Sequence, residues 1–381
     1  RERARAERLA KDISGWSADL FGELTAEATQ FDGYDTLSES AKVIALSDGE
    51  ELADAIATDE AGESKDGVLV VLDRTPFYAE MGGQVADHGY ITNGDAKLKV
   101  TQVKKTPKGY FVHTCELLDG TIHVGDEVTA SVDTQRRMAI CRNHTATHLL
   151  QKALREVLGE HVHQAGSYQD DKLTHFDFTH FSAVTPEELR KVEDRVNEKI
   201  FEALPVTIQN LPIEEAKKMG AMALFGEKYG SVVRVVDAGG WSTEFCGGTH
   251  VTNTAQIGCF KILSESSVAA GIRRIEATTA YGVLNLLDER TEQLAKTAVA
   301  LKANNLKDAP ARAEALTAEL KETNKQLDIL KAEMASAKID GLFENAADID
   351  GVRIVSAYLT GTGADTLRDM VDKIRDKAPN A

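Results

Sequence analysis

His144 and His148 stand four residues apart, and far downstream Cys246 and His250 repeat that spacing. On a helix, positions i and i+4 share a face, so both imidazoles of the first pair project together. Gly247 and Gly248 lie between the second pair and permit the tight backbone turn that makes a thiolate and an imidazole converge. Three imidazoles and one thiolate form a tetrahedral N/S donor set, which suits one zinc ion. With ten histidines and four cysteines in 381 residues, both pairs arise together by chance on the order of 0.03 times. His161, His163, His175 and His180 read singly, as ordinary core or surface groups. Four protein ligands usually close a structural site, whereas a catalytic zinc keeps a position for water or substrate. The spacing therefore leaves open whether the ion holds the fold, positions a substrate or acts as a Lewis acid.

A second chemical feature is Gly82-Gly83-Gln84, where two glycines let a backbone approach closely and a carboxamide follows. Basic residues lie next to both metal segments: Arg136, Arg137 and Arg142 by the first, Arg273 and Arg274 after the second.

These groups need elements to hold them. Ala146, Leu149, Leu150, Ala153, Leu154 and Val157 predict a helix over 143–158, with Gly159 as its stop. Ahead of it, alternating or apolar runs at 42–46, 67–72, 98–103, 109–114 and 126–132 predict short strands and a small β-barrel. Behind it, strands near 173–178, 206–209, 232–236 and 258–263 and a helix over 187–204 give an α+β class with a mostly antiparallel sheet. Residues 1–30 read as helix, from Ile13, Trp16, Leu20 and Leu24. From about 283 to 337 glycine vanishes, and leucines at near-heptad spacing predict two helices broken by Asn304, Asn305 and Pro310. That pattern predicts an antiparallel hairpin or coiled-coil stalk, serving either within one chain or as a homodimer contact. A strand at 351–358 and a helix at 365–377 follow.

Composition narrows the class. Lys+Arg 44 against Asp+Glu 61 gives a net charge of −17, which argues against broad, non-specific nucleic-acid or DNA binding while allowing a local basic patch. Four scattered cysteines make no disulfide framework, which fits a reducing, cytoplasmic setting. No apolar run approaches the roughly 20 residues of a membrane span. The charged, capless beginning and the end soon after a new strand and helix read as a fragment of something longer.

The segments Thr75–Gln84, Asn143–Leu150, Gln164–Ser167, Ala223–Tyr229, Cys246–His250 and Gly271–Glu276 resemble, in order, the part of the alanyl-tRNA synthetase family downstream of its aminoacylation core. Met81 departs from the family's pattern, where a small Ser or Thr is expected. The resemblance implies a β-barrel subdomain at 31–135 and a zinc-bearing α/β editing core at 136–282. A terminal helical segment (1–30), a helical hairpin or stalk (283–340) and the start of a small α/β C-terminal domain (341–381) flank them. It implies hydrolysis of the ester in Ser-tRNA(Ala) and Gly-tRNA(Ala), with zinc on His144, His148, Cys246 and His250. It places Gln84 and Cys246 at the chemistry, Gln84 orienting a water or the terminal adenosine. Gly82, Gly83, Gln164, Ser167 and Arg273 would meet the substrate, and Arg136, Arg137 and Arg142 would complete a basic rim for the acceptor stem. ATP and magnesium would serve only the aminoacylation core, which these residues lack. No general base stands out; Glu80 or a histidine is the candidate.

Editing answers a physical limit. An alanine pocket cannot exclude glycine, and it rejects serine's extra hydroxyl by only about 10–200-fold. Two other readings compete: a release-factor-like peptidyl-tRNA hydrolase using Gly-Gly-Gln, and a zinc-stabilised tRNA-binding or oligomerisation module without hydrolysis.

Overall fold

The computed structural model describes residues 20–22, 24–58, 63–222, 230–344, 346–358 and 363–377. The motif Ala223–Tyr229 and most of the helix expected over 1–30 lie outside these residues. The described part of that helix stops early: residues 24–29 are not helical, and Phe21 is buried against Val71 and Val112. The chain divides into two units, 1–286 and 287–381.

The first unit opens with six antiparallel strands: β1 (Ser38–Ser47), β2 (Lys65–Leu72), β3 (Gly89–Thr92), β4 (Ala96–Lys105), β5 (Phe111–His123) and β6 (Glu127–Val132). Their order is β6-β3-β4-β5-β2-β1. Strand β6 pairs back onto β1, from Glu127 opposite Lys42 to Ser131 opposite Ser38, and closes the barrel. Closure leaves these strands no open edge. Inward residues such as Val43, Val70, Ile91, Leu98 and Leu117 are fully buried. The sequence predicts five of these strands; β3 is too short to show an alternation of its own.

Helix α1 (Thr134–Leu158) follows directly, capped by Asp133, whose carboxylate accepts from the Arg136 amide at 3.0 Å. It begins nine residues before the expected start, because Thr134–Arg137 is polar and hides the apolar period. Strands β7 (Gln164–Gln169) and β8 (Thr174–Thr179) come next, then α2 (Pro186–Phe201), started by a Thr185/Glu188 capping box. After β9 (Val206–Pro212) and α3 (Ile213–Lys218) come β10 (Val232–Ala238), β11 (Ser242–Phe245), β12 (Phe260–Ala269) and β13 (Ile272–Thr279). Two antiparallel sheets result, β7-β8-β13-β12 and β9-β10-β11. Leu149, Leu150, Ala153 and Leu154 of α1 join Phe176, Phe178, Ile275 and Ala277 in one buried core. Burial of each such leucine contributes about 1.5–3 kcal/mol, and it fixes the opposite face of α1, which carries the histidines.

Helix α4 (Tyr281–Ala300) runs across the division at Leu286. The second unit holds α5 (Ala309–Glu344), a hairpin of β14 (Ala347–Ile349) and β15 (Val352–Ile354), and α6 (Ala364–Lys377). The single strand expected at 351–358 is this hairpin, turned at Asp350 and Gly351, both with positive φ. Helices form where the leucine spacing predicts them. Their leucines are not covered, however: Leu320, Leu327 and Leu330 are 61%, 47% and 55% exposed. Leucine spacing signals a helix and an apolar stripe; it does not name what packs on the stripe. Among the described residues no helix is long and apolar enough to cross a membrane.

Candidate metal centre

The ligand atoms of His144, His148, Cys246 and His250 all lie within 4.8 Å of one another. Helix α1 presents both of its histidines, and the turn after β11 presents Cys246 and His250. The three ring centroids are separated by 5.4, 4.5 and 4.7 Å. Cys246 Sγ lies 3.3 Å from His144 Nε2 and 3.3 Å from His250 Nε2.

Two of the three imidazoles are held from behind. The Gln84 amide oxygen accepts from the Thr249 backbone N–H at 2.8 Å, which fixes the orientation of the carboxamide. The same oxygen meets His144 Nδ1 at 2.8 Å, so Nδ1 carries the proton and the Nε2 lone pair faces Cys246. The Thr145 hydroxyl donates to Cys141 O and lies 3.1 Å from His250 Nδ1. By the same logic it accepts from that nitrogen, and His250 Nε2 is also a lone pair. His148 Nδ1 lies 3.7 Å from the Glu244 carboxylate. Burial holds His148 down at about 4 and pushes Glu244 up to about 8. Burial, with the neighbouring histidine charges, holds His144 and His250 well below the ordinary range. Neutral imidazoles, two of them with the Nε2 lone pair facing a thiol, are donors prepared for a borderline-soft divalent cation, so these residues fit zinc.

Gln84 is tied into the centre by all of its side-chain hydrogen bonds. It is fully buried, and its Nε2 donates to the Thr249 hydroxyl at 2.9 Å. With both oxygen contacts also made, the carboxamide braces two residues of the centre. It sits at the end of a two-residue turn: Met81 and Gln84 exchange backbone hydrogen bonds of 3.2 and 3.1 Å. Gly82 and Gly83 have φ of +62° and +86°, which few residues but glycine adopt. Met81 points outward, 43% exposed, so its departure from the family pattern does not load the turn. A Cβ on Gly83 would lie 2.5 Å from Ser167 O. Gln164 Nε2 donates to Ser167 Oγ at 3.1 Å. Gly83, Ser167 and Gln164 are thereby brought together. Glu80 is exposed, and its backbone N–H bonds Val103 O.

The arginines expected to form a basic rim each have a partner within the fold. Arg137 is 3% exposed; its Nε lies 2.9 Å from each Asp87 oxygen, while its amino groups reach Gly33 O and Pro76 O. It ties α1 to the barrel. Arg136 pairs with Asp171 at 3.2 Å, and Arg142 donates to Gln256 O. Arg273 pairs with Glu265 at 2.5 and 2.7 Å, and Arg274 pairs with Asp177. Carboxylates claim four of these arginines and a backbone carbonyl the fifth, and partners such as Asp87 and Asp177 are invisible to a local reading. Sequence reasoning also passed over Thr145, Glu244 and Thr249. Two of them stand inside the metal motifs, and a search for polar neighbours of ligands would have found them.

Comparisons with known proteins place the chain in a family. The model described as "tRNA synthetases class II (A)" matches residues 1–136, and the "Threonyl and Alanyl tRNA synthetase second additional domain" matches 233–276. The chain is 47% identical over 375 residues to an alanine–tRNA ligase of Acetivibrio thermocellus, covering 98% of this chain and 42% of that protein. It is 44% identical over 383 residues to that of Bacillus velezensis, covering 100% and 43%. A Shouchella clausii relative of the same name is 44% identical, over 98% and 42%. The chain thus spans about 42% of the length of such relatives, and over that span it belongs to the alanine–tRNA ligase family.

Proposed function

We propose that this chain carries an editing centre that hydrolyses the aminoacyl ester of tRNA(Ala) wrongly charged with serine or glycine. The observation that carries the reading is the junction of the two motifs: the Gly82-Gly83-Gln84 turn braces His144 and Thr249, and it abuts Ser167. A purely structural metal module gives no reason for a glycine turn pressed onto Ser167. A release-factor-like reading needs an exposed glutamine in a basic loop, whereas Gln84 is buried.

In this reading His144, His148, Cys246 and His250 hold zinc, which would supply Lewis-acid polarisation or a fixed anchor at the ester. Gln84 and Thr145 orient His144 and His250 from behind, so those donor atoms need little rearrangement when charge develops. Gly83 admits the Ser167 backbone at a distance no side chain would allow. Gln164 and Ser167, bonded to each other, offer hydroxyl and amide partners to a serine side chain. An alanine methyl makes no hydrogen bond to those groups, so only the serine hydroxyl gains from them, which is how a polar site discriminates against the cognate amino acid. Ligation of alanine with ATP and magnesium is proposed for the longer family proteins, not for these residues.

The test is release of serine from Ser-tRNA(Ala) by the zinc-loaded chain and by Cys246→Ala. Hydrolysis and stoichiometric zinc should be lost together. Full hydrolysis by a zinc-free Cys246→Ala would remove the metal from the mechanism.

A further inference from the structure

A cavity of about 490 Å³ opens beside the metal centre, on a side lined by neither the glycine turn nor Ser167. Its walls include Tyr34, Leu37, Met138, Asn210, Arg234 and His250. That volume is in the range of small-molecule sites. Arg234 and Asn210 face each other across the β9–β10 pairing, where cross-strand neighbours share a face.

Arg234 is held but not neutralised. Its Nη1 donates to Cys246 O and Gly248 O, each at 2.8 Å. Its guanidinium lies 4.1 Å from the Tyr34 ring centre, and the Tyr34 hydroxyl donates to Gly247 O at 2.5 Å. Ring and turn together fix the plane of the fork. Arg137, Arg273 and Arg274 each have a carboxylate partner. Among the described residues no carboxylate lies within 4.0 Å of Arg234, and its Nε and Nη2 have no hydrogen-bond partner. A half-buried cation without a counter-charge is costly, and a bound anion removes that cost. A planar guanidinium fork matches the two oxygens of a phosphate.

We infer that this cavity is an oxyanion subsite in which Arg234, with Asn210 opposite, receives a single phosphate group. Asp35 on the lining disfavours dense polyphosphates. The phosphate is either a phosphodiester of an RNA strand or free inorganic phosphate. The subsite does not depend on the ester-hydrolysis reading and survives if that reading fails.

The test uses the zinc-loaded full chain with ¹⁵N-arginine. The Arg234 Nε–Hε signal is identified by its loss in Arg234→Gln. It is then followed while inorganic phosphate, and separately a short single-stranded oligoribonucleotide, are added. The signal should shift and saturate. Response to the oligoribonucleotide alone assigns the site to RNA; response to phosphate alone assigns it to the free ion; response to both supports the shared chemistry. Asn210→Ala, which leaves the metal turn intact, should weaken the affinity about fivefold or more with zinc content unchanged. Should Arg234→Gln not fold, Arg234→Lys, which keeps the charge but not the fork, identifies the signal. An unmoved Arg234 signal at millimolar levels of both probes, or equal affinity in Asn210→Ala, would overturn the subsite.

Discussion

The Gln84 amide oxygen lies 2.8 Å from His144 Nδ1, and a backbone N–H from Thr249 fixes which end of the carboxamide is the oxygen. A residue of the glycine turn thereby sets the tautomer of a candidate metal ligand sixty positions away. Removing such an outer partner typically lowers metal affinity about 10–100-fold. Gln84→Ala should show that loss in competition against a chelator. Gln84→Glu, which keeps an acceptor for His144, should lose less. Affinity unchanged in Gln84→Ala would show that His144 is oriented by something else.

Arg137 and Asp87 form a buried ion pair whose remaining donors meet Gly33 O and Pro76 O. Arg137→Met leaves a buried carboxylate without its cation, a change that costs about 3–5 kcal/mol. Urea denaturation should show that loss, and adding Asp87→Asn should recover much of it. A single variant as stable as the parent would mean that α1 is not anchored through this pair.

The Gly82–Gly83 turn separates two kinds of cost. Gly82 has φ +62° and nothing near its Cβ position, so Gly82→Ala should cost about 1–2 kcal/mol of backbone strain alone. Gly83→Ala adds a collision with Ser167 O and should destabilise more, and it should also lower hydrolysis of Ser-tRNA(Ala). Equal effects of the two substitutions on hydrolysis would separate Ser167 from the reaction.

His113 is fully buried in the barrel wall between Val70 O, at 3.0 Å, and the Thr75 hydroxyl, at 2.8 Å. Burial holds its imidazole at about 4, below the ordinary 6.5. A depressed base is neutral when folded and protonates more readily when unfolded. Stability from this group is therefore complete above about pH 6.5 and is lost as pH falls toward 4. The loss is about 3 kcal/mol over that window. Denaturant midpoints measured from pH 7 to 4 should fall accordingly, and His113→Gln should flatten that slope. An equal slope in the variant would assign the acid sensitivity to other groups.

The sequence makes the ligand set legible because i,i+4 spacing and a Gly-Gly turn are local signals. The barrel is legible for the same reason, from alternation in its longer strands. What stays hidden is carried by pairing between distant positions. Arg137 looks like an RNA-facing cation until Asp87 closes on it, and Arg273 until Glu265 does. The start of α1 is hidden by its polar first turns, and Gln84 by a burial that no neighbour in sequence announces. The leucines of α4 and α5 show the reverse case, a strong local pattern over a surface left exposed.

Proofreading at the proposed metal centre is tested by single-turnover hydrolysis of Ser-tRNA(Ala) and Ala-tRNA(Ala) on the same zinc-loaded chain. The seryl ester should be cleaved about tenfold faster than the alanyl ester, since a hydrogen bond that only serine makes contributes up to about 1.5 kcal/mol. Equal rates on the two esters, or hydrolysis of neither, would contradict it.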